Sequence, residues 1–285
     1  NKMKDLAWYN GKTAPIEEMM IPMCDRSTFF GDGVYDATAV ANGVPFALKE
    51  HIDRFWASFS ALRIPFALSK AELEELLLSL CKQVEGPCQI LYWQTTRGSA
   101  PRSHAFPPSS VPANLLCTIS PFSMAPHTKR LRLITTEDTR YLHCNIKTLN
   151  LLPNVMAAQK AAEAGCDETV FHRGDTVTEC AHSNLMILQN GALRTMPLCN
   201  LILPGITRGH LLGIARQNGI PVVEKAFTVD DMMNADEVIV TSSGALCCAA
   251  DEIDGTPVGG RAPALLATLQ QAYNARFLQE TGFAL

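Results

Sequence analysis

Cys144-Asn145-Ile146-Lys147-Thr148-Leu149-Asn150-Leu151-Leu152 sets one lysine among apolar and uncharged residues, with no acidic residue within four positions on either side. A lysine there has no local ion-pair partner. It either snorkels its ammonium to water from a helix start or, if buried, has a lowered pKa and becomes a competent Schiff-base nucleophile. Downstream, residues 150–164 read as a helix, with Pro153 in its first turn and Gly165 just past its end. Upstream, 131–136 reads as a strand. Further strands follow at 167–172 and at 184–188, the latter turning at Asn190-Gly191, a hairpin signal. A helix over 207–218 stops at Gly219. A strand over 237–241 runs into Ser242-Ser243-Gly244, and a helix over 263–278 follows.

The N-terminal part begins strand-rich and turns helical. Ile52, Phe55, Trp56, Phe59 and Leu62 form one stripe of a helix over 49–63. Ser69-Lys70-Ala71-Glu72 is a capping box that opens a helix over 70–84, with Leu73, Leu76, Leu77, Leu80 and Val84 facing inward. Strands are expected at 88–96 and 113–119. Ser120-Pro121-Phe122-Ser123-Met124-Ala125-Pro126 marks the boundary between two parts of domain size. Strands and helices mix without a regular βαβ rhythm, so the fold class is α+β.

Composition narrows the function. The chain has 285 residues, 24 Lys+Arg against 28 Asp+Glu, and a formal charge of −4. Apolar residues make up 47 %, enough for a sizeable core and too many for global disorder. The mild negative balance argues against a general nucleic-acid binder. Lys129-Arg130-Arg132 reads as a solvated strand end. No run approaches the ~18 apolar residues of a membrane helix, and Asn1-Lys2-Met3-Lys4-Asp5 lacks a signal-peptide core. A cytoplasmic location with reduced thiols is therefore expected. The ten cysteines form no C-x-x-C pair and no zinc spacing, so no metal site is expected. Cys247-Cys248 reads as a strand facing two ways or as a reactive pair. Nucleotide-binding glycine loops, G-x-S-x-G and H-E-x-x-H are absent.

Other residues can carry chemistry. Glu179 is the only acid in Thr176-Val177-Thr178-Glu179-Cys180-Ala181-His182. It is either an exposed strand-end glutamate or a carboxylate in a partly dry site, which needs a cationic partner such as a protonated pyridine nitrogen. Leu203-Pro204-Gly205-Ile206-Thr207-Arg208 opens an amphipathic helix whose first amides can bind phosphate. Ser242 and Ser243 offer hydroxyls and amides of the same kind. Arg54 lies off the apolar stripe of its helix, where it is solvated or grips a phosphate. Arg102 and His104, two apart on an extended segment, project to one side. They form either a polar loop or a cationic pair suited to a carboxylate.

Taken in order, these pieces resemble the fold-type IV pyridoxal-phosphate aminotransferase family, most closely its D-amino acid branch. The resemblance spans nearly the whole chain. It is carried by Phe30-Gly31-Asp32-Gly33-Val34-Tyr35, Glu50-His51-Ile52-Asp53-Arg54, Thr96-Arg97-Gly98 with Pro101-Arg102-Ser103-His104, Ile146 to Leu152, Thr176 to Glu179, and Gly205-Ile206-Thr207-Arg208. It implies a smaller N-terminal α/β domain over 1–120, a linker over 121–127, and a larger C-terminal pseudo-barrel domain over 128–285. The implied cofactor is pyridoxal 5′-phosphate, held through a Schiff base to Lys147, which is also the base that moves the substrate proton. Glu179 is implied to face the pyridine nitrogen. Arg54, the Ile206 and Thr207 amides, Ser242 and Ser243 are implied to form the phosphate cup. Tyr35, Arg102 and His104 match the group that binds the substrate α-carboxylate, with the arginine and histidine reaching in from a neighbouring subunit of a homodimer.

The implied reaction moves the amino group of a D-amino acid to a 2-oxo acid. An aminodeoxychorismate lyase or a branched-chain amino acid aminotransferase shares the cofactor motifs but is not expected to have the Arg102/His104 pair. A non-catalytic metabolite-binding relative would have no reason to keep Lys147 and Glu179 together. The chain also departs from the pattern. Cys180-Ala181-His182 stands in place of a Gly/Ser-rich stretch. Gly244-Ala245-Leu246-Cys247 replaces a run rich in Ser, Thr and Glu, and Asp36-Ala37 replaces a Glu and a bulkier apolar residue. These positions are expected to shape the side-chain pocket and the contact to the cofactor's phenolic oxygen.

Overall fold

In the computed structural model, which describes residues 2–285, the chain sorts into two units. Unit 1 runs to Met124 and takes in two later pieces, Ile146–Asn150 and Gln279–Phe283. Unit 2 holds Ala125–Asn145 and Leu151–Leu278, with the last two residues.

Unit 1 contains β1 (Leu6–Tyr9), β2 (Lys12–Ala14), α1 (Arg26–Phe30), β3 (Gly33–Ala41), β4 (Val44–Pro45), α2 (Leu48–Ala61), α3 (Lys70–Cys81), β5 (Cys88–Thr96) and β6 (Asn114–Pro121). Its strands form an antiparallel sheet in the order β2-β1-β6-β5-β3-β4. β5 alternates buried and half-buried residues along most of its length, the period-two pattern of a sheet with one face in the core. Leu91 and Trp93 point into that core, where Ile52, Phe55 and Phe59 of α2 meet Leu73, Leu77 and Leu80 of α3. α3 opens with the expected capping box: Ser69 Oγ accepts from the Glu72 amide, and the Glu72 carboxylate accepts from the Ser69 amide. The later piece 146–150 lies along the start of β3. Tyr35 N donates to Lys147 O at 3.0 Å, and Leu149 N donates to Gly33 O at 3.0 Å. This close approach needs a glycine at 33, because a Cβ there would come within 2.6 Å of Thr95 O and 2.8 Å of Leu149 Cδ1.

Unit 2 contains β7 (Arg130–Glu137), α4 (Leu152–Glu163), β8 (Glu168–Arg173), β9 (Thr176–Cys180), β10 (Asn184–Gln189), β11 (Ala192–Thr195), α5 (Ile206–Gln217), β12 (Val222–Glu224), α6 (Val229–Met233), β13 (Glu237–Ser242), β14 (Leu246–Ile253), β15 (Thr256–Pro257) and most of α7 (Pro263–Thr281). The main sheet runs β12-β11-β10-β13-β14-β7-β8-β9, and β15 pairs with β14. The β7–β8 and β14–β7 pairs are parallel, whereas β10–β13 and β13–β14 are antiparallel, so the sheet is mixed. β9, at the end of that order, returns beside β10: Cys180 N donates to Ser183 O at 2.8 Å. The sheet is therefore curled towards a barrel around a core that includes Leu133, Val170, Val177, Leu185, Ile187, Val238 and Val240. The β10–β11 turn sits on Asn190 and Gly191, both with positive φ, as a tight hairpin requires.

Cys247 and Cys248 lie in β14, and both are buried. Burial pushes both thiols above their ordinary pKa, which disfavours the thiolate a reactive pair would need. The basic cluster at the start of β7 is paired as well as solvated: Lys129 meets Asp167 at 2.7 Å and Arg132 meets Glu252 at 2.9 Å.

Candidate active site

In unit 1, Lys147 is half-buried, with its backbone held on β3 and its amide donating to Ser58 Oγ at 3.2 Å. Its ammonium lies 4.2 Å from the centroid of the Tyr35 ring, a cation–π placement. Among the described residues no carboxylate forms an ion pair with it. The isolation legible in the sequence thus extends to the tertiary structure. Tyr35 in turn stacks on Tyr92, with ring centroids 5.4 Å apart.

Arg54 is largely enclosed. Its Nε donates to Asp36 Oδ2 at 2.9 Å and its Nη2 to Asp36 Oδ1 at 2.7 Å. His51 Nδ1 stands 2.7 Å from the same Oδ1. This corrects the expectation for Asp36. Successive strand residues face opposite sides of a sheet, so Asp36 points away from Tyr35 and towards α2. Its carboxylate serves the arginine and the histidine. Burial opposes its charge, but the Arg54 and His51 charges prevail and hold it well below the usual carboxylate range. Burial lowers His51, and the Arg54 and Lys147 charges add to that effect. An aspartate at 36 and an arginine at 54 therefore form one buried unit, and Arg54 offers oriented donors more than net charge.

Arg102 and His104 share one partner, the Phe30 ring. Arg102 Cζ is 5.1 Å from its centroid, and the His104 ring centroid is also 5.1 Å away. Both residues are exposed. The segment is not an extended strand, and the two side chains meet at Phe30, whereas Tyr35 packs on Tyr92.

In unit 2, Glu179 is 5 % exposed on β9. Arg140 Nη1 reaches its Oε1 at 2.5 Å, Asn184 Nδ2 its Oε2 at 2.8 Å, and the Leu203 amide the same Oε2 at 3.1 Å. Of the two readings of Glu179 the buried one holds, and a cationic partner is supplied by Arg140 of the chain itself. Arg140 is also held by Asp138, whose carboxylate takes Nε at 2.9 Å and Nη2 at 2.9 Å. Burial opposes the Arg140 charge, but its bonds to Asp138 and the charge of Glu179 raise its pKa. Arg140 and Asn184 were not legible as site residues; the only signal was an arginine two positions after an aspartate.

Asn184 gathers the rest of this half. Its Nδ2 also donates to Leu203 O at 3.0 Å, and it pairs across the sheet with Thr241, which precedes Ser242 and Ser243. Gly205 lies so close that a Cβ would fall 2.0 Å from Asn184 Oδ1. Gly205 is the N-cap of α5 and provides no side-chain cap, so the Ile206 and Thr207 amides open the helix without one. Ser242 ends β13, and Ser243 begins the turn to β14. Of the departures, Cys180 and Ala181 are buried. His182 is exposed and meets Glu168 Oε2 at 2.8 Å through Nδ1.

The donor set suits pyridoxal phosphate. Unit 1 presents an amine without a carboxylate partner. Unit 2 presents a buried carboxylate, an uncapped helix start and a buried hydroxyl, Thr241 Oγ1, that has no hydrogen-bond partner among the described residues. Among those residues no cluster of His, Cys, Asp or Glu could hold a metal ion.

Comparison with known proteins identifies the family. The family model described as amino-transferase class IV matches residues 33–253. The chain is 38 % identical to the D-alanine aminotransferase of Bacillus licheniformis over 276 residues, covering 96 % of this chain and 97 % of that one. It is 38 % identical to the D-alanine aminotransferase of Listeria monocytogenes serotype 4b over 280 residues, covering 96 % of each. Among solved structures, a T.th. branched-chain amino acid aminotransferase complexed with N-(5′-phosphopyridoxyl)-L-glutamate superposes with a TM-score of 0.86. It is 25 % identical, with 99 % of this chain and 96 % of that chain covered. A match of this length, on a chain whose lysine, buried glutamate and open helix start survive folding, is enough to assign it: the chain belongs to the class IV aminotransferases.

Proposed function

We infer that this chain is a pyridoxal-phosphate-dependent transaminase that moves the amino group of a D-amino acid to a 2-oxo acid, for example from D-alanine to 2-oxoglutarate. The observation that carries this reading is the 38 % identity over 96 % of the chain to D-alanine aminotransferases. The Arg102 and His104 pair, held together on one ring, supports it.

When bound, the cofactor ring supplies an electron sink for the electron pair left at Cα on deprotonation. The remaining roles belong to the chain. Lys147 Nζ carries the cofactor and moves the proton at Cα. Glu179, fixed by Arg140, Asn184 and the Leu203 amide, holds a proton on the ring nitrogen through its charge. The Ile206 and Thr207 amides, Arg54, Ser242 and Ser243 grip the phosphate, with the dipole of α5 behind the amides. Tyr35, Arg102 and His104 hold the substrate α-carboxylate. Because Arg102 and His104 are exposed in the single chain, they are suited to serve the site of a second copy, and we assign a homodimer. A cytoplasmic location fits ten free cysteines and the lack, among the described residues, of any helix long and apolar enough to cross a membrane.

An amino-donor screen with both enantiomers of alanine, glutamate and valine tests the reading. D-Alanine and D-glutamate should be the good donors. Preference for L-valine or L-alanine would replace it with a branched-chain-type activity. Release of pyruvate from aminodeoxychorismate without an amino acceptor would replace it with a lyase.

A further inference from the structure

The Pro101-Arg102-Ser103-His104 segment is exposed and belongs to no helix or strand. A free loop of this kind samples many conformations, and ordering it at the moment of binding is costly. Here its backbone is already gripped from beneath. Arg26 is 3 % exposed, its Nη1 donates to Ser103 O at 2.6 Å, and its Nη2 points to His104 O at 3.4 Å. Its Nε donates to Asp32 Oδ2 at 2.7 Å, and its Cζ lies 4.8 Å from the centroid of Phe30, the ring that Arg102 and His104 share. Asp32 is in turn held by Arg97, whose Nε and Nη2 reach it at 2.9 Å and 3.0 Å. Arg97 Cζ stands 3.7 Å from the ring centroid of Phe106, just beyond the segment. One carboxylate thus fixes two arginines, and the two arginines hold the C-terminal side of the loop, at Ser103, His104 and Phe106.

We propose that Arg26 is a positioning residue of this enzyme: its guanidinium clamps the Ser103 and His104 carbonyls so that Arg102 and His104 present a preformed carboxylate-binding pair. The inference rests on the reading that Arg102 and His104 bind the substrate carboxylate. Arg26 itself is buried and acts through the loop. A planar fork can direct three donors to three fixed acceptors at once, whereas a lysine ammonium is a single point on a flexible stem. The cost of ordering the loop is met on folding, which leaves more of the contact energy for the substrate.

Steady-state kinetics of holoenzymes carrying Arg26→Lys, Arg102→Ala and both together, with D-alanine and 2-oxoglutarate, test this. Arg26→Lys should raise KM for D-alanine about tenfold, the scale of one lost charge-assisted hydrogen bond. Its kcat should stay within about twofold and its cofactor absorbance should be unchanged. Because both substitutions act on one device, the double variant should raise KM by less than the product of the two single effects, only His104 being left for the clamp to position. A wild-type KM in Arg26→Lys, or additive effects in the double variant, overturns the clamp. A wild-type KM in Arg102→Ala overturns the carboxylate reading itself, and the clamp with it. Should Arg26→Lys fail to fold, Phe30→Leu removes the shared ring and carries the same expectation: a raised KM supports the preformed pair, and an unchanged KM refutes it.

Discussion

Arg54 directs two of its donors to Asp36, whose carboxylate is wholly buried and also receives His51. A buried charge keeps its place only while it is paired, and removing one partner leaves the other uncompensated. Asp36→Ala should therefore destabilise the protein by about 3–5 kcal/mol. Asp36→Glu, which restores the residue of the resembling enzymes, should retain most of the stability if α2 can shift to admit the extra methylene. Chemical denaturation of the three proteins at pH 7 measures this.

The same cluster makes stability depend on pH in a known direction. Both Asp36 and His51 have folded pKa values below their ordinary ones. A depressed group stabilises above its unfolded pKa and loses that contribution as the pH falls. For His51 the loss begins below about 6.5, and for Asp36 below about 4. The unfolding free energy should therefore decline on acidification from pH 7. His51→Gln should flatten the upper part of that decline and Asp36→Asn the lower. A profile that is level from pH 7 to 3 in the parent protein contradicts this account.

Lys147 has no carboxylate ion-pair partner among the described residues, so replacing it should leave folding nearly intact. Lys147→Ala should keep the unfolding midpoint close to that of the parent and lose turnover. Borohydride treatment of the holoenzyme followed by peptide mapping should place the label on Lys147. A label on any other lysine removes its assigned role.

Glu179→Gln preserves the shape of the side chain but not its charge. Loss of that electrostatic support should cost about 2–4 kcal/mol of transition-state stabilisation, seen as a large fall in kcat with the cofactor still bound. Arg140 retains Asp138, so the fold should survive. Arg140→Met poses the converse test: it leaves Glu179 buried without its cation and should lower stability by about 3–5 kcal/mol.

Arg102→Ala should raise KM for D-alanine by the equivalent of about 1.5–3 kcal/mol and leave the cofactor absorbance unchanged. Mixing Arg102→Ala subunits with Lys147→Ala subunits should restore part of the activity, because one site of the hybrid carries both intact residues. If verified hybrids stay inactive, Arg102 does not act across subunits.

Some of this protein was decided within a few residues of chain. The stripes Ile52-Phe55-Phe59 and Leu73-Leu77-Leu80 form because helix periodicity depends only on neighbours three and four apart. The Ser69/Glu72 box and the Asn190-Gly191 turn are equally local. The family motifs also lie in short runs, so Lys147 and Glu179 could be singled out before any fold was known. Tertiary structure decided which charge meets which. Arg54 lies 18 positions from Asp36, Arg140 lies 39 from Glu179, and Arg26 lies 77 from Ser103. No local spacing encodes those pairings, because a buried charge takes whichever opposite charge or dipole the packed strands bring within reach. The strand placement of Asp36 then turned it from an expected neighbour of the substrate pocket into the anchor of Arg54. The sequence determined which groups are available for chemistry, and long-range sheet pairing determined what each of them touches.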